Sequence, residues 1–196
     1  MKLFTRKWQI LLLTGIGILL IAAAVLVYIR PWQGQSQDTS NNWELTLVGQ
    51  NGQEKTLSLN DLEKMPAYKG NGGFFTTAGI VNGPYSIKGV LLTDLCNLVG
   101  GITSSDGVLV SAKDEYSSIF SYQQIMGNVT TNDPQTMKEV PHGELKILLM
   151  YEQDGKLLSP DDGSPCRIAI ADNGLLTEGN MWTKWVNKIE VLNVNK

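Results

Sequence analysis

The chain has 196 residues, 42% of them hydrophobic, with 16 basic and 19 acidic side chains. Four of the basic residues lie within the first thirty positions, so the rest of the chain carries a net charge of about −7, which argues against nucleic acid and other polyanions as partners. One histidine and two cysteines that lie far apart in sequence argue against a dedicated zinc site.

Residues 1–30 predict a cytoplasmic tip followed by a transmembrane anchor. Residues 10–29 form an uncharged, almost wholly apolar run, and about twenty helical residues span the hydrocarbon core of a bilayer. Basic residues precede the run, so we expect a single-pass protein of the cell membrane, with a cytoplasmic amino terminus and an extracytoplasmic remainder. The run is longer than the apolar region of an ordinary signal peptide, so an uncleaved anchor is preferred to a cleaved signal peptide.

Residues 31–42 are polar, poor in aliphatic side chains and without periodicity, which is typical of a flexible tether. Residues 43–196 form the folded part, and their number suits one domain with its own core. We expect the protein to contact the membrane through its N-terminal helix.

Short strands are predicted along most of the folded part. Residues 43–49 alternate with the strand period, and aromatic and β-branched residues favour a strand within 74–81. Residues 70–73, three of them glycine, predict a flexible loop before that strand. The other predicted strands lie at 55–57, 108–112 and 116–120, before the turn at 154–155, and after residue 185.

Three short helices separate these strands. One is predicted at 61–65 with Asn60 as its cap, another at 90–99 and ended by two glycines, and a third after the cap residue Ser121. Residues 127–141 predict a long surface loop. Many short strands with few helices indicate a β-rich α+β domain, and no glycine-rich loop follows a strand, which excludes nucleotide cofactors bound in that way.

Arg167 is the only arginine after residue 30, and it opens the apolar run 168–170. A guanidinium does not deprotonate and is costly to bury alone, so it needs an anionic or carbonyl partner. Two interpretations stay open. Arg167 helps to bind an anion, or it fastens its strand to a neighbouring carbonyl or to Asp161 or Asp162.

The cysteines and the histidine also leave alternatives. Cys96 lies on the apolar face of a predicted helix and Cys166 directly precedes the arginine. Outside the membrane they can form a disulfide, but two buried thiols packed as small apolar groups are the favoured interpretation. His142 ends the long loop and is expected at the surface, because no nucleophile is recognisably paired with it.

Six short motifs follow one another along residues 43–196. They are W-x-L-x-L-x-G at 43–49, a helix ending in Met-Pro at 65–66, G-V-x-L-x-D-L at 89–95, L-L-x-Y-x-x-x-G-x-L at 148–157, G-x-P-x-R at 163–167 and K-W-V-x-x-I-E-V at 184–191. In this order they resemble the molybdopterin-binding domain of the sulfite oxidase family, in its short extracytoplasmic form. The resemblance implies a mixed-sheet domain of the sulfite-oxidase-like fold.

The resemblance also implies a molybdopterin cofactor, whose dithiolene holds molybdenum while a cysteine thiolate of the protein supplies a further soft ligand. That cysteine is expected between residues 68 and 88, and this window contains none. Thr76 or Thr77 stands near its place with a neutral hydroxyl. Cys96 and Cys166 lie elsewhere. No metal ligand is therefore assigned, and the absence counts against catalysis.

Four residues are candidates for binding the cofactor: Thr77, Tyr116, Arg167 and Lys184. Arg167 and Lys184 match residues that hold an anion in relatives, where the lysine helps to hold the pterin phosphate, and together they would form an anion cradle. The alternative for Lys184 is a solvated side chain. Tyr116 either places its hydroxyl in the pocket or is a half-buried aromatic with a wet tip. Glu115 stands where relatives have glycine and so alters a loop that relies on positive φ.

The sequence therefore predicts a membrane-anchored, extracytoplasmic molybdopterin-binding oxidoreductase-like domain, an enzyme by resemblance only and with no catalytic residue assigned. The alternative is a non-catalytic module whose emptied cleft binds a small anion, a peptide or a partner protein. In a third interpretation, a structural module, Arg167 and Lys184 would share no pocket.

Overall fold

Two β-sheets form the part of the chain that the computed structural model describes, residues 42–194. The predicted anchor at 1–30 and nearly all of the tether at 31–42 lie outside the described residues. Within residues 42–194, no helix is long and apolar enough to cross a membrane.

The first sheet has five strands in the order β2-β1-β11-β5-β6. Its strands β1 and β11 are parallel, while the other neighbours are antiparallel. The strands are β1 (Glu44–Val48), β2 (Glu54–Ser58), β5 (Asp106–Ala112), β6 (Ser117–Ser121) and β11 (Val186–Asn193).

The second sheet has six strands, in the order β10-β3-β4-β7-β8 with β9 also paired to β7. Strands β10 and β3 are parallel and the others are antiparallel. The strands are β3 (Tyr68–Phe75), β4 (Val81–Leu91), β7 (Lys146–Gln153), β8 (Lys156–Leu157), β9 (Arg167–Ala171) and β10 (Asn173–Glu178). The expected strand-rich mixed-sheet α+β architecture is thus present.

Three short α-helices connect these strands: α1 (Leu59–Lys64), α2 (Leu92–Asn97) and α3 (Tyr122–Ile125). Ser121 caps α3 as predicted, because its hydroxyl accepts the backbone N–H of Gln124. The prediction of Asn60 as the cap of α1 was wrong. Ser58 caps that helix together with Asp61 in a capping box, a motif that satisfies two free N–H groups at once.

The predicted flexible loop at 70–73 was also wrong, because these residues belong to β3. Their glycines allow close packing rather than motion. A Cβ on Gly72 would lie 2.1 Å from the carbonyl oxygen of Ile170, and one on Gly73 would lie 2.7 Å from that of Asn82. Side chains at these positions would separate β3 from its neighbours.

Buried apolar residues of both sheets and of the short helices form one hydrophobic core. All five residues of β9 and the central five of β7 are buried. Cys96 and Cys166 are buried and free, so they pack as small apolar groups and form no disulfide. This agrees with the favoured interpretation of the two cysteines.

Candidate functional site

A cavity of about 400 Å³ opens where β3 and β10 end. Parallel pairing places Glu178, the last residue of β10, beside Phe75, the last residue of β3, so the segments that follow both strands meet at one sheet edge. Residues 74–77 and 178–180 line the cavity. Its volume lies within the range typical of small-molecule pockets.

Hydrogen bonds fix the shape of the first lining segment. The backbone N–H of Thr76 donates to the carbonyl of Ile80 at 2.9 Å, and the Thr76 hydroxyl accepts the Ile80 N–H at 3.1 Å. Thr76 is therefore held in a tight turn, partly buried, while Thr77 is exposed at its tip. Of the four predicted cofactor-binding residues, only Thr77 lines the cavity.

The second lining segment carries the charge of the cavity. Glu178 is its only ionisable lining residue, and the Asn180 amide donates to the Glu178 carboxylate at 3.2 Å. The remaining lining consists of two phenylalanines, two threonines and a glycine. The cavity thus combines aromatic surface with hydroxyl groups, one amide and one carboxylate.

Arg167 lies behind this lining in an aromatic cluster. Its guanidinium carbon is 5.1 Å from the centre of the Phe74 ring and 5.4 Å from that of Trp182, distances at which cation–π attraction operates. The two rings are themselves 5.1 Å apart. The Trp182 indole N–H donates to the Thr177 hydroxyl at 2.8 Å, so the cluster is fixed to β10.

The Arg167 side chain is 3% exposed and bonds to main-chain carbonyls. It donates to the carbonyl of Trp182 at 3.1 Å and to that of Asp162 at 3.3 Å, while its Nε has no partner. Burial lowers the pKa of Arg167 to about 10, and the nearby Asp162 opposes that shift. The bonds of Arg167 therefore match the second interpretation, in which the residue fastens its strand to neighbouring carbonyls.

Lys184 holds the same loop from another side. Its ammonium donates to the carbonyl of Asp161 at 2.5 Å and lies 5.8 Å from the centre of the Trp185 ring. The interpretation of Lys184 as merely solvated was therefore wrong. Arg167 and Lys184 bind adjacent carbonyls, and neither lines the cavity. Their predicted role in holding a cofactor stays a prediction.

Tyr116 lies beside the cavity rather than in its lining. Its hydroxyl donates to the carbonyl of Asn180 at 3.0 Å, and the residue is 45% exposed. Glu115 adopts φ +69° without being glycine, so the positive-φ turn survives the substitution. Tyr116 is thus partly exposed, but its hydroxyl bonds to the 3-10 turn Gly179–Met181, and its role in holding a cofactor stays a prediction.

A second cavity of about 460 Å³ lies in the loop region of residues 128–142. Glu139 and His142 are its ionisable lining residues. The Nδ1 of His142 lies 2.7 Å from the carbonyl of Gly143, and the residue is half-buried. His142 thus lies at the lining of a surface cavity, where the hydroxyl groups belong to Thr130 and Thr131.

Sequence reasoning missed Glu178 and Asn180 because it missed β10. The strand holds Gly174 at φ +92° and an irregular register between residues 173 and 176, so its pattern does not alternate cleanly. A usable signal was the mostly apolar segment at 175–177 ahead of a glycine-asparagine turn, which is typical of a strand end.

The fold and the cavity define the class of the protein: a strand-rich α+β domain with a pocket at the ends of two parallel strands. A family model described as the oxidoreductase molybdopterin binding domain matches residues 33–196. The chain therefore belongs to this family, as the resemblance predicted.

Among solved structures, the chain is similar to the sulfane dehydrogenase SoxCD from Paracoccus pantotrophus. The TM-score is 0.59 and the sequence identity is 16%, over 80% of this chain and 40% of that one. At this identity the similarity concerns the fold, and the chain spans less than half the length of the SoxCD chain. No curated protein matched the sequence.

Family membership makes molybdopterin the cofactor against which the site must be tested. The donor atoms of the cavity do not fit a molybdenum centre that takes a protein thiolate, since Thr76 and Thr77 contribute neutral hydroxyls. Burial raises the pKa of Cys96 to about 12 and raises that of Cys166 still further. Among residues 42–194, no three histidine, cysteine, aspartate or glutamate side chains gather as a metal site.

Proposed function

We propose that this chain is a membrane-anchored, extracytoplasmic member of the molybdopterin-binding family that binds a small molecule in the cavity at 74–77 and 178–180 without molybdenum redox catalysis. The observation that carries the proposal is the lining itself. Threonines stand at the strand end where the resemblance expects a cysteine ligand, and both cysteines of the chain are packed in the core.

The chemistry of the donors supports the loss of metal binding. Molybdenum bound to a dithiolene prefers soft sulfur ligands, and a threonine hydroxyl is neutral and hard. Neither cysteine can replace it, because a thiol whose pKa is raised by burial stays protonated. Cys96 also lies within α2, among buried leucines.

The state of the two cations supports the same conclusion. A cradle for a phosphate needs donors that face the cavity, whereas neither Arg167 nor Lys184 lines it. Their bonds to the carbonyls of Asp162 and Asp161 hold both side chains at the loop 161–162.

The retained cavity favours a binding module over a purely structural one. A volume of about 400 Å³ with two aromatic rings and several polar groups suits a small organic ligand. The enzyme interpretation rests on family membership, and fold alone does not fix function. The anchor rests on the apolar run at 10–29 of the sequence.

Metal and pterin analysis tests the proposal. The full chain is produced in a host that matures molybdopterin, purified, and assayed for molybdenum and for pterin fluorescence after denaturation. We expect neither. A family member that keeps the cysteine serves as the positive control in the same host. Stoichiometric molybdenum and pterin in the wild-type chain would overturn the proposal.

Matched variants show whether the missing thiolate alone accounts for the result. Thr76→Cys and Thr77→Cys each place a thiol at the cavity, and Thr93→Cys, in α2, serves as the control for an added cysteine elsewhere. Molybdenum acquired only by a cavity variant would identify the threonine position as the lost ligand site. Molybdenum in the control variant would mean nonspecific uptake by thiols.

A further inference from the structure

Glu178 gives the cavity a charge that no basic group of the described chain neutralises. The ion pairs within residues 42–194 join Lys88 to Glu152, Lys146 to Glu144 and Lys188 to Glu190, and none of them includes Glu178. Its carboxylate accepts one hydrogen bond, from the Asn180 amide. Glu178 is exposed, and this bond orients its carboxylate without pairing the charge with a cation, so further acceptor positions stay available to a ligand.

From this we infer that the ligand of the cavity is a small organic cation, an amine or ammonium group on a flat apolar body, with the positive group at Glu178. This inference rests on the proposed binding function and specifies its ligand. The apolar body lies against Phe74 and Phe75, the two aromatic residues of the lining. Aromatic faces attract cations, but the Phe74 ring already lies 5.1 Å from the Arg167 guanidinium, so the carboxylate of Glu178 sets the charge preference.

Arg167 does not reverse this preference. Its guanidinium lies 5.1 Å from the centre of the Phe74 ring, and Phe74 lines the cavity while Arg167 does not. The arginine is 3% exposed, and two main-chain carbonyls accept its hydrogen bonds. An anion in the cavity would meet the bare carboxylate of Glu178 without direct contact to the guanidinium.

The charge of the whole exterior part acts in the same direction. Beyond residue 30 the chain carries a net charge of about −7, and such a surface raises the local concentration of cations and lowers that of anions. Long-range attraction and the local carboxylate thus select the same class of ligand.

Three probes with the same ring and similar length test the inference: 2-phenylethylamine, 2-phenylethanol and phenylacetate. Each is titrated into the full chain in detergent, and binding is followed by the NMR shifts of the backbone amides of residues 178–180. We expect the amine to bind about tenfold more tightly than the alcohol, as one charge-assisted hydrogen bond provides, and phenylacetate to bind most weakly.

Glu178→Gln keeps the shape of the side chain and removes its charge. In this variant we expect the amine and the alcohol to bind with equal affinity, and the affinity of the alcohol to match that of the wild type. Glu139→Gln, in the second cavity, makes the same change in net charge and should leave the tenfold preference intact.

Three results would overturn the inference. They are phenylacetate binding as tightly as the amine, a preference for the amine that survives Glu178→Gln, and amine shifts that avoid residues 178–180. Tight binding of the alcohol or the acid would refute the cation preference while leaving the binding function in place. If no probe shifts these residues, the small-molecule binding function falls together with the inference. The proposed lack of molybdenum redox catalysis is tested separately, by the molybdenum content of the wild-type chain.

Discussion

At the scale of single residues, Arg167 shows how a buried charge can hold a chain together. Its donors connect the loop at Asp162 with the turn at Trp182, two segments twenty residues apart. Phe74 and Trp182 cover it with aromatic surface. Removing it would leave buried carbonyls without donors, and that loss costs more than the net value of the bonds.

Arg167→Ala should therefore destabilise the fold more than Lys184→Ala. We expect the arginine variant to lose roughly 2–4 kcal/mol of unfolding free energy, because truncation leaves buried polar groups unpaired. The lysine variant should lose about 1 kcal/mol or less, because its contact is at the surface. Urea denaturation of both variants measures the two losses of unfolding free energy. Equal small losses would contradict the role of Arg167 in connecting the loop at Asp162 with the turn at Trp182.

The two cysteines predict a pH dependence. Burial raises both thiol pKa values above the usual 9.0, so the folded chain keeps its protons while the unfolded chain loses them. The thiol contribution to stability is therefore fully present below pH 9 and is lost as the pH rises, for Cys96 up to about pH 12.

Denaturation at pH 8 and pH 10 under reducing conditions measures this effect. Each thiol should lower the unfolding free energy by at most about 1.4 kcal/mol per pH unit above 9. A variant with both Cys96→Ala and Cys166→Ala should be less stable at pH 8 but should lose less between the two pH values. A wild-type chain whose stability falls no faster than that of this variant would refute the buried protonated thiols.

At the scale of elements, some local motifs could be predicted from the sequence and close contacts could not. The Ser121 cap and the strand at 108–112 follow from residue type and spacing, and the structure has both. The glycines of β3 could not be read in the same way. Gly70 and Gly72 are required by the approach of β9 from about a hundred residues further on, and Gly73 by the approach of Asn82 in β4, which local composition does not record.

Gly72→Ala should accordingly destabilise the second sheet. Its Cβ would meet the Ile170 carbonyl at 2.1 Å, and the fixed backbone of β9 cannot move away cheaply. We expect a loss of about 2–3 kcal/mol, typical of overpacking. Gly143→Ala is the control, since its Cβ would meet nothing within 4 Å. A thermal transition of Gly72→Ala that matches the control would mean that β3 and β9 are not tightly packed.

Some residues of the candidate site can likewise be predicted from the local sequence, while others depend on pairing between distant strands. Thr77 could be placed from the cysteine window alone, and it lines the cavity. Glu178 and Asn180 could not, because they reach the cavity only through the parallel pairing of β10 with β3. That pairing joins strands about a hundred residues apart, and the irregular register of β10 hides its strand pattern.

At the scale of the whole molecule, the net charge, the cavity and the predicted anchor bear on the same question, which ligands the domain meets. The net negative charge of residues 31–196 and the carboxylate in the pocket suit the capture of cations. A membrane anchor would hold this pocket within a tether's length of the bilayer surface, where cationic amphiphiles and amines concentrate on anionic lipids. The predicted anchor therefore bears directly on which ligands the domain meets.

Deleting residues 1–30 tests the anchor. The full chain should sediment with membranes and resist extraction at alkaline pH, because about twenty apolar residues in a helix span the hydrocarbon core. The shortened chain should stay in the supernatant, and its thermal transition should match that of the full chain, since residues 39–196 form one compact unit. Replacing Leu12 and Leu19 with lysine in the full chain is the matched control, because it keeps the length and destroys the apolar run. Membrane association that persists in this variant would assign the contact to the folded domain instead of the helix.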